Sequence, residues 1–412
     1  MKHRILENLH NPEMLENLYR ENKQEFARSF FDIPLDDSEL IRFWKIRLAP
    51  ETGTEFKGFL MLDLLVVIIL SLFTGCLVKI PELFSISEDF FYARNLAMIV
   101  FNGIIVYTFW QNRIFDKKRI LLYGATLLVL ALFVNLLPIH KSDSITLTLI
   151  HTPLFLWCLF GLSFISFDYK NTGKRIEFIR FNGELLIMTG LMLIAGGLMT
   201  GLTLGLFSVI KIDIAKFYLG YVVVFGGVAA PIVSYYLIRL IPNITSKIAP
   251  VIARVFTPLV LITMAGYLIS FMFTEVKVLE DRDLLILFNV MLLAVMAIIV
   301  FSVSELEREK EKNLNVLILL FLAVLAIVID SIALYAIISR VSGGFTPNRT
   351  VVLVSNILIF INLIVIAKSL YEAYFRRNPL ESVEGLVARY LTIYFAWTII
   401  VIFILPFVFG FK

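Results

Sequence analysis

Asp330 is the residue of this chain whose position demands most of its surroundings. It stands inside the run LILLFLAVLAIVIDSIALYAII, with Ser331 beside it and apolar residues for several turns to either side. A carboxylate at the centre of a membrane helix costs about 2.5–3.5 kcal/mol on an insertion scale. It must therefore face protein or water, hold a partner, or keep its proton. Two roles meet that requirement: an ion or proton site, or a tie between helices through a buried cation. Arg254, Lys368 and Arg389 are the cations placed for such a tie. Each stands near the end of its apolar segment, where a long side chain can instead extend to the headgroup layer. Lys368 and Glu372 are four residues apart, on one helical face, and are spaced to pair with each other. Asp63, near the start of the first apolar run, is open to the same two readings.

The other reactive residue types form no constellation. Cys76 and Cys158 both lie in apolar runs and read as small buried hydrophobes. His3, His10, His140 and His151 have no ligand spacing, so neither a metal nor a cofactor is expected. The loop from Lys79 to Arg94 carries Glu82, Glu88 and Asp89 but is too short to hold a transferase site. There is no phosphate-binding Gly-Lys loop and no potassium-filter sequence. The stretch Arg113 to Arg119 lacks the charged signature of a major-facilitator transporter. The chain is accordingly read as no enzyme.

The elements that position these residues follow from composition. Of 412 residues, 59% are hydrophobic and 17% charged, with a mean hydropathy of +0.87. Soluble domains are about 45–50% apolar and about 25% charged, so the bilayer is the solvent that fits. The expected fold is all-α, a polytopic transmembrane bundle of about 11 spans. They are placed at 58–78, 95–112, 120–138, 145–166, 185–210, 217–240, 252–273, 284–303, 314–338, 351–373 and 387–409, at about 20 residues each. The first apolar run starts at Gly58, too late for a cleaved signal peptide, so the first span is expected to act as an uncleaved one. With the N-terminus inside, 26 Lys and Arg fall on the inner side and 10 on the outer. That excess favours N-in and, for an odd span count, C-out. The net charge of +4 is spread along the chain and gives no reason to invoke nucleic acid.

Residues 1–57 read as a cytoplasmic helical segment preceding the transmembrane domain 58–412. Asn11-Pro12-Glu13 starts a helix that gathers Met14, Leu15, Leu18, Tyr19 and Phe26 roughly on one side. Asp36, Asp37 and Ser38 precede a second helix, Glu39 to Leu48. Its Phe43 and Trp44 among Arg42, Lys45 and Arg47 suit the headgroup layer. This segment is either a hairpin docked on the bundle or an arm for a protein partner.

In the fifth span, Gly190, Gly196, Gly197, Gly201 and Gly205 fit close helix packing, or else a broken helix lining a cavity. The sixth carries Gly220, Gly226, Gly227 and Pro231. Asn356 and Asn362 on the tenth are placed to hydrogen-bond across helices. No internal repeat of fixed period or inverted type is evident.

The ninth and tenth spans are joined by Arg340-Val341-Ser342-Gly343-Gly344-Phe345-Thr346-Pro347-Asn348-Arg349. Glycines supply a turn, Thr346-Pro347 is extended, and Asn348 is placed to cap the next helix. This G-x-T-P-x-R loop, carried by Gly344, Thr346, Pro347 and Arg349, resembles a signature of an uncharacterised bacterial family of multi-pass inner-membrane proteins. Ile248-Ala249-Pro250 through Phe271 and Arg180-Phe181-Asn182-Gly183-Glu184 are similar to that family as well, over roughly residues 60–410. Phe345 departs from the smaller aliphatic residue expected there. The resemblance implies a location in the bacterial cytoplasmic membrane and transfers no activity.

Two functions are compatible with these features. One is a transporter or channel-like protein for a small solute or ion, using Asp330, Arg254, Lys368 and Arg349. The other is a sensor, scaffold or assembly partner with the N-terminal helices as its contact surface. A polar cavity reaching Asp330 would favour the first, and a dry core with Asp330 salt-bridged the second.

Overall fold

The computed structural model describes residues 2–9, 11–21, 26, 29–30, 39–48, 53–140, 142–209, 212–241, 250, 253, 257–266, 268–269, 282–305, 314–376 and 378–412, and every regular element among them is a helix. Contacts divide the chain into two compact units, Met1–Leu65 and Val66–Lys412.

The first unit begins with α1 (Lys2–Glu7), α2 (Pro12–Glu21) and α3 (Glu39–Leu48). It has its own core, in which Ile5, Leu15, Leu18, Phe26, Phe30, Ile41 and Trp44 pack together. Tyr19 and Phe26 meet the Trp44 ring with centroids 5.4 and 5.1 Å away. Trp44 is thus a core residue and not a headgroup anchor. Only Phe43 and Met14 of the expected apolar face stay exposed. Arg47 lies over the Trp44 ring at 5.0 Å and pairs with Glu16 at 3.1 Å. Asp36, Asp37 and Ser38 lie outside the described residues.

Nine helices among the described residues are long and apolar enough to cross a membrane. They are α4 (Gly53–Val78), α6 (Glu88–Gln111) after the short α5 (Ile80–Phe84), α7 (Lys117–Leu136), α8 (Asp143–Phe164), α9 (Thr172–Val209) and α10 (Ala215–Leu240), then α13 (Leu314–Val341), α14 (Pro347–Phe375) and α15 (Glu381–Phe403). Two shorter apolar helices, α11 (Thr257–Gly266) and the Phe288–Ser304 part of α12 (Arg282–Ser304), fall on the seventh and eighth expected spans. A last turn, α16 (Leu405–Val408), follows Ile404. Helices answer the bilayer because each satisfies its own backbone donors and acceptors where no water is present.

Polar residues set the helix ends. The Asp116 side chain accepts from the Lys118 amide to start α7, and Ser142 accepts from the Ile145 amide to start α8. Pro153 and Pro231 sit inside α8 and α10 without ending them. Helix α10 opens with a π turn, Tyr218–Val223, around Gly220. At 38 residues, α9 is about 57 Å long, far more than the roughly 30 Å of hydrocarbon. Its extra turns are the polar ones from Thr172 to Glu184.

Two large cores hold the second unit. One gathers α12, α13, α14, α15 and the start of α9. The other gathers α4, α6, α8, α10 and the next turns of α9. Lipid tails are as apolar as leucine, so van der Waals fit and hydrogen bonds decide how such helices associate. The hydrogen bonds are well distributed. Asn95 and Asn135 exchange amide bonds of 3.0 and 2.8 Å between α6 and α7. Trp157 donates to Asn182 at 2.9 Å, and Trp397 donates to Ser355 at 2.9 Å.

Close packing falls on unexpected glycines. A Cβ at Gly75 would overlap the Phe225 ring and one at Gly183 the Phe301 ring, while one at Gly103 would lie 2.6 Å from Ile232. At Gly190, Gly196, Gly197, Gly201 and Gly205 a Cβ would meet nothing within 4 Å. The Gly-rich half of α9 therefore does not mediate close helix packing among the described residues. Cys76 is likewise exposed, and only Cys158 is partly buried; both are free thiols.

Candidate functional site

Asp330 lies just past the midpoint of the 28-residue α13 and is 0% exposed. Neither carboxyl oxygen has a hydrogen-bond partner among the described residues. Ala326 and Ala333, one turn before and after it, are also buried on this face. The hydrophobic core to which these alanines belong also holds Ile359, Leu363 and Ile366 of α14 and Met296 of α12.

Asn362 of α14 is 1% exposed. Its amide donates to the Tyr394 hydroxyl of α15 at 2.9 Å and approaches the Met296 sulfur at 3.8 Å. Its carbonyl oxygen Oδ1 has no hydrogen-bond partner among the described residues. The Tyr394 hydroxyl lies within Coulombic range of the Asp330 carboxyl. One helix turn away, Tyr390 donates to the Leu358 carbonyl at 2.8 Å. Asn356 donates to Asn289 of α12 at 2.9 Å. Both α14 asparagines thus bond across helices, as their positions predict.

Neither Lys368 nor Arg389 pairs with Asp330 among the described residues. Lys368 pairs with Glu372 at 4.0 Å, with the lysine side chain 74% exposed. Arg389 is exposed on α15. Arg254 lies outside the described residues. Asp63 is buried.

The signature loop is a turn and a helix cap. Gly344 has φ +117°, a conformation that favours glycine, and its carbonyl accepts from the Arg349 guanidinium at 2.9 Å. Thr346, not Asn348, caps α14: its Oγ1 accepts from the Arg349 amide at 3.3 Å. Pro347 occupies the first turn, where its missing N–H costs nothing. Phe345 is exposed.

The Arg180–Glu184 stretch is similarly occupied in packing. Arg180 donates to the Ser304 carbonyl at the end of α12, through Nε at 3.1 Å, and stands 3.3 Å from the Glu305 carboxylate. Phe181 meets the Tyr235 ring at 4.6 Å. Burial pushes the Glu305 carboxyl up to about 7, against the opposing pull of Arg180; nearby Glu184 adds to the rise. Burial wins because the guanidinium is already engaged by a carbonyl.

Arg94, which sequence places in an outer loop, is instead buried in α6. It donates to the Leu137 and Pro138 carbonyls at 3.4 and 3.0 Å and lies over the Phe90 ring. It closes the end of α7, where the partial negative charge of a helix C-terminus gathers. The Lys79–Glu82 pair at 2.6 Å also takes a bond from Tyr221. Hydrogen bonding to Lys79 and Tyr221 holds the Glu82 carboxyl below its usual range, and Glu82 in turn raises Lys79.

A half-open cleft is lined by Thr257, Ser302, Glu305, Asn315 and Leu319 among others, and Asp330 is not on it. No group of histidine, cysteine or acidic residues suited to a metal occurs among the described residues. Of the residues at the Asp330 site, sequence reasoning missed Tyr394 and Met296. The one available signal was the Tyr390–Tyr394 pair, four apart in an apolar run.

No family model, curated protein or solved structure matches the chain. Fold and hydropathy define its class: an all-α, multi-pass membrane protein whose environment is a lipid bilayer.

Proposed function

We propose that this protein moves a small solute or ion across a bacterial cytoplasmic membrane, with its N-terminus inside and its C-terminus outside. The observation carrying the proposal is Asp330: a mid-helix carboxyl, fully buried, with neither oxygen hydrogen-bonded among the described residues. A purely structural acid would be expected to hold donors, because an unsatisfied polar group in an apolar interior costs about 1–3 kcal/mol. An energetic burden of this kind is what a site that exchanges a charged ligand requires. The signature loop and the Arg180–Glu184 stretch serve as scaffold in this reading, and the resemblance to an uncharacterised inner-membrane family is retained with it. No catalytic chemistry is assigned to the chain.

Proteoliposomes of the full chain on a solid-supported membrane test the proposal by reading charge movement after cation and solute jumps. Asp330→Asn should match the wild type in yield and melting profile while losing the transient. A variant that loses stability but keeps its transient per folded protein would overturn the proposal, as would a wild type that moves no charge.

A second reading, a sensor or scaffold, draws on the first unit. Its closed core of Trp44, Phe26 and Phe30 leaves Phe43 and Met14 outside for a protein partner. Under it, removing residues 1–57 would abolish partner capture and leave the spanning helices folded.

A further inference from the structure

The Asp330 site has a composition that points to the ligand it would take. Asp330 contributes two oxygens and one negative charge, and Asn362 one carbonyl oxygen, all buried and without hydrogen-bond donors among the described residues. Asn362 spends its donor side on Tyr394 and Met296, so an acceptor is what remains on its side chain. The alanines flanking Asp330 on its helix face place no bulky side chain one turn above or below it. Acceptors without donors form a cradle for a cation. Hard oxygen ligands suit alkali and alkaline-earth ions. One carboxylate balances one positive charge, whereas calcium sites commonly draw on several acids. No further acid joins Asp330 to make a metal-binding group among the described residues.

We propose that Asp330 and Asn362, steadied by Tyr394, bind one dehydrated alkali-metal cation between α13, α14 and α15. The proposal rests on the transport reading above and supplies its ion. Asp330 provides the charge and Asn362 a neutral oxygen. Tyr394 is a positioning residue that fixes the Asn362 amide through its 2.9 Å bond.

The test uses the full chain in nanodiscs, in a buffer whose only other cation is N-methylglucamine, at about pH 8. Melting is followed while sodium, potassium or lithium chloride is added at constant ionic strength. A ligand that binds only the folded state raises stability by RT ln(1 + [L]/Kd). At least one alkali cation should give a saturating rise in melting temperature. Asp330→Asn should abolish it, and Asn362→Leu should weaken apparent affinity by roughly tenfold. Tyr394→Phe should weaken it by a smaller factor. If Asp330→Asn does not fold, the Asn362→Leu arm decides: an unchanged cation response there overturns the proposal.

A response that persists in Asp330→Asn overturns it as well. Failure of this proposal and of the transport reading can be told apart. No cation response, with charge movement still dependent on Asp330, removes the alkali site and keeps transport with a proton in its place. No cation response and no Asp330-dependent charge movement removes both.

Discussion

Gly183 shows how much one missing side chain can decide. A Cβ there would overlap the Phe301 ring, so α9 and α12 approach as closely as they do only because the position is glycine. Gly183→Ala should cost about 1–3 kcal/mol, as overpacking does. Gly197→Ala, where a Cβ meets nothing within 4 Å, should stay within about 0.5 kcal/mol of the parent. Unfolding in mild detergent reads both, and equal losses would refute the distinction. Sequence drew attention to the wrong glycines, because spacing along one helix says nothing of what stands opposite it. Asp330 and Asn362 were legible, since a polar residue deep in an apolar run is conspicuous whatever it touches. Tyr394 was not, because a tyrosine in such a run is commonplace until its hydroxyl is seen on Asn362.

At the scale of elements, polar side chains join helix ends that hydropathy alone leaves undefined. Arg94 closes α7 and Arg180 closes α12 through backbone carbonyls. The α12 closure carries a pH signature. Glu305 titrates near 4.5 when exposed and about 7 in the folded chain, chiefly through burial. Between those values the folded form holds a proton that the unfolded form has released. Stability from this group is therefore greatest below about pH 4.5 and falls as pH rises through about 7. Glu305→Gln should flatten that part of the stability-pH curve measured by thermal melting. A slope unchanged in the variant would assign it elsewhere. The span boundaries were read within a few residues for most helices; α6 and α15 begin at Glu88 and Glu381, before the expected 95 and 387, and the largest departure is α9. Its polar first turns look like a loop to a hydropathy window, yet they pack Ile176, Ile179 and Phe181 into both cores.

For the whole molecule, the uneven distribution of Lys and Arg between the two sets of loops predicts an orientation, N-terminus inside, that can be measured. Single cysteines introduced near each terminus, in a Cys76→Ser, Cys158→Ser background, should react with a membrane-impermeant maleimide at the C-terminus in intact cells. The N-terminal cysteine should react only after lysis. Labelling of both termini from one side would require the span map to be redrawn.

Hydropathy determined the class of this protein and most of its helices, because in a bilayer each helix satisfies its own backbone within a local stretch of chain. It also singled out Asp330, since the cost of a buried charge depends on the segment that carries it. Tertiary structure alone decided that Asn362 of α14 bonds Tyr394 of α15, and that the Asp330 carboxyl is buried without a hydrogen-bond partner among the described residues. Leucine-rich faces are interchangeable to lipid, so which of them meet is a matter of shape and hydrogen bonds across the whole bundle.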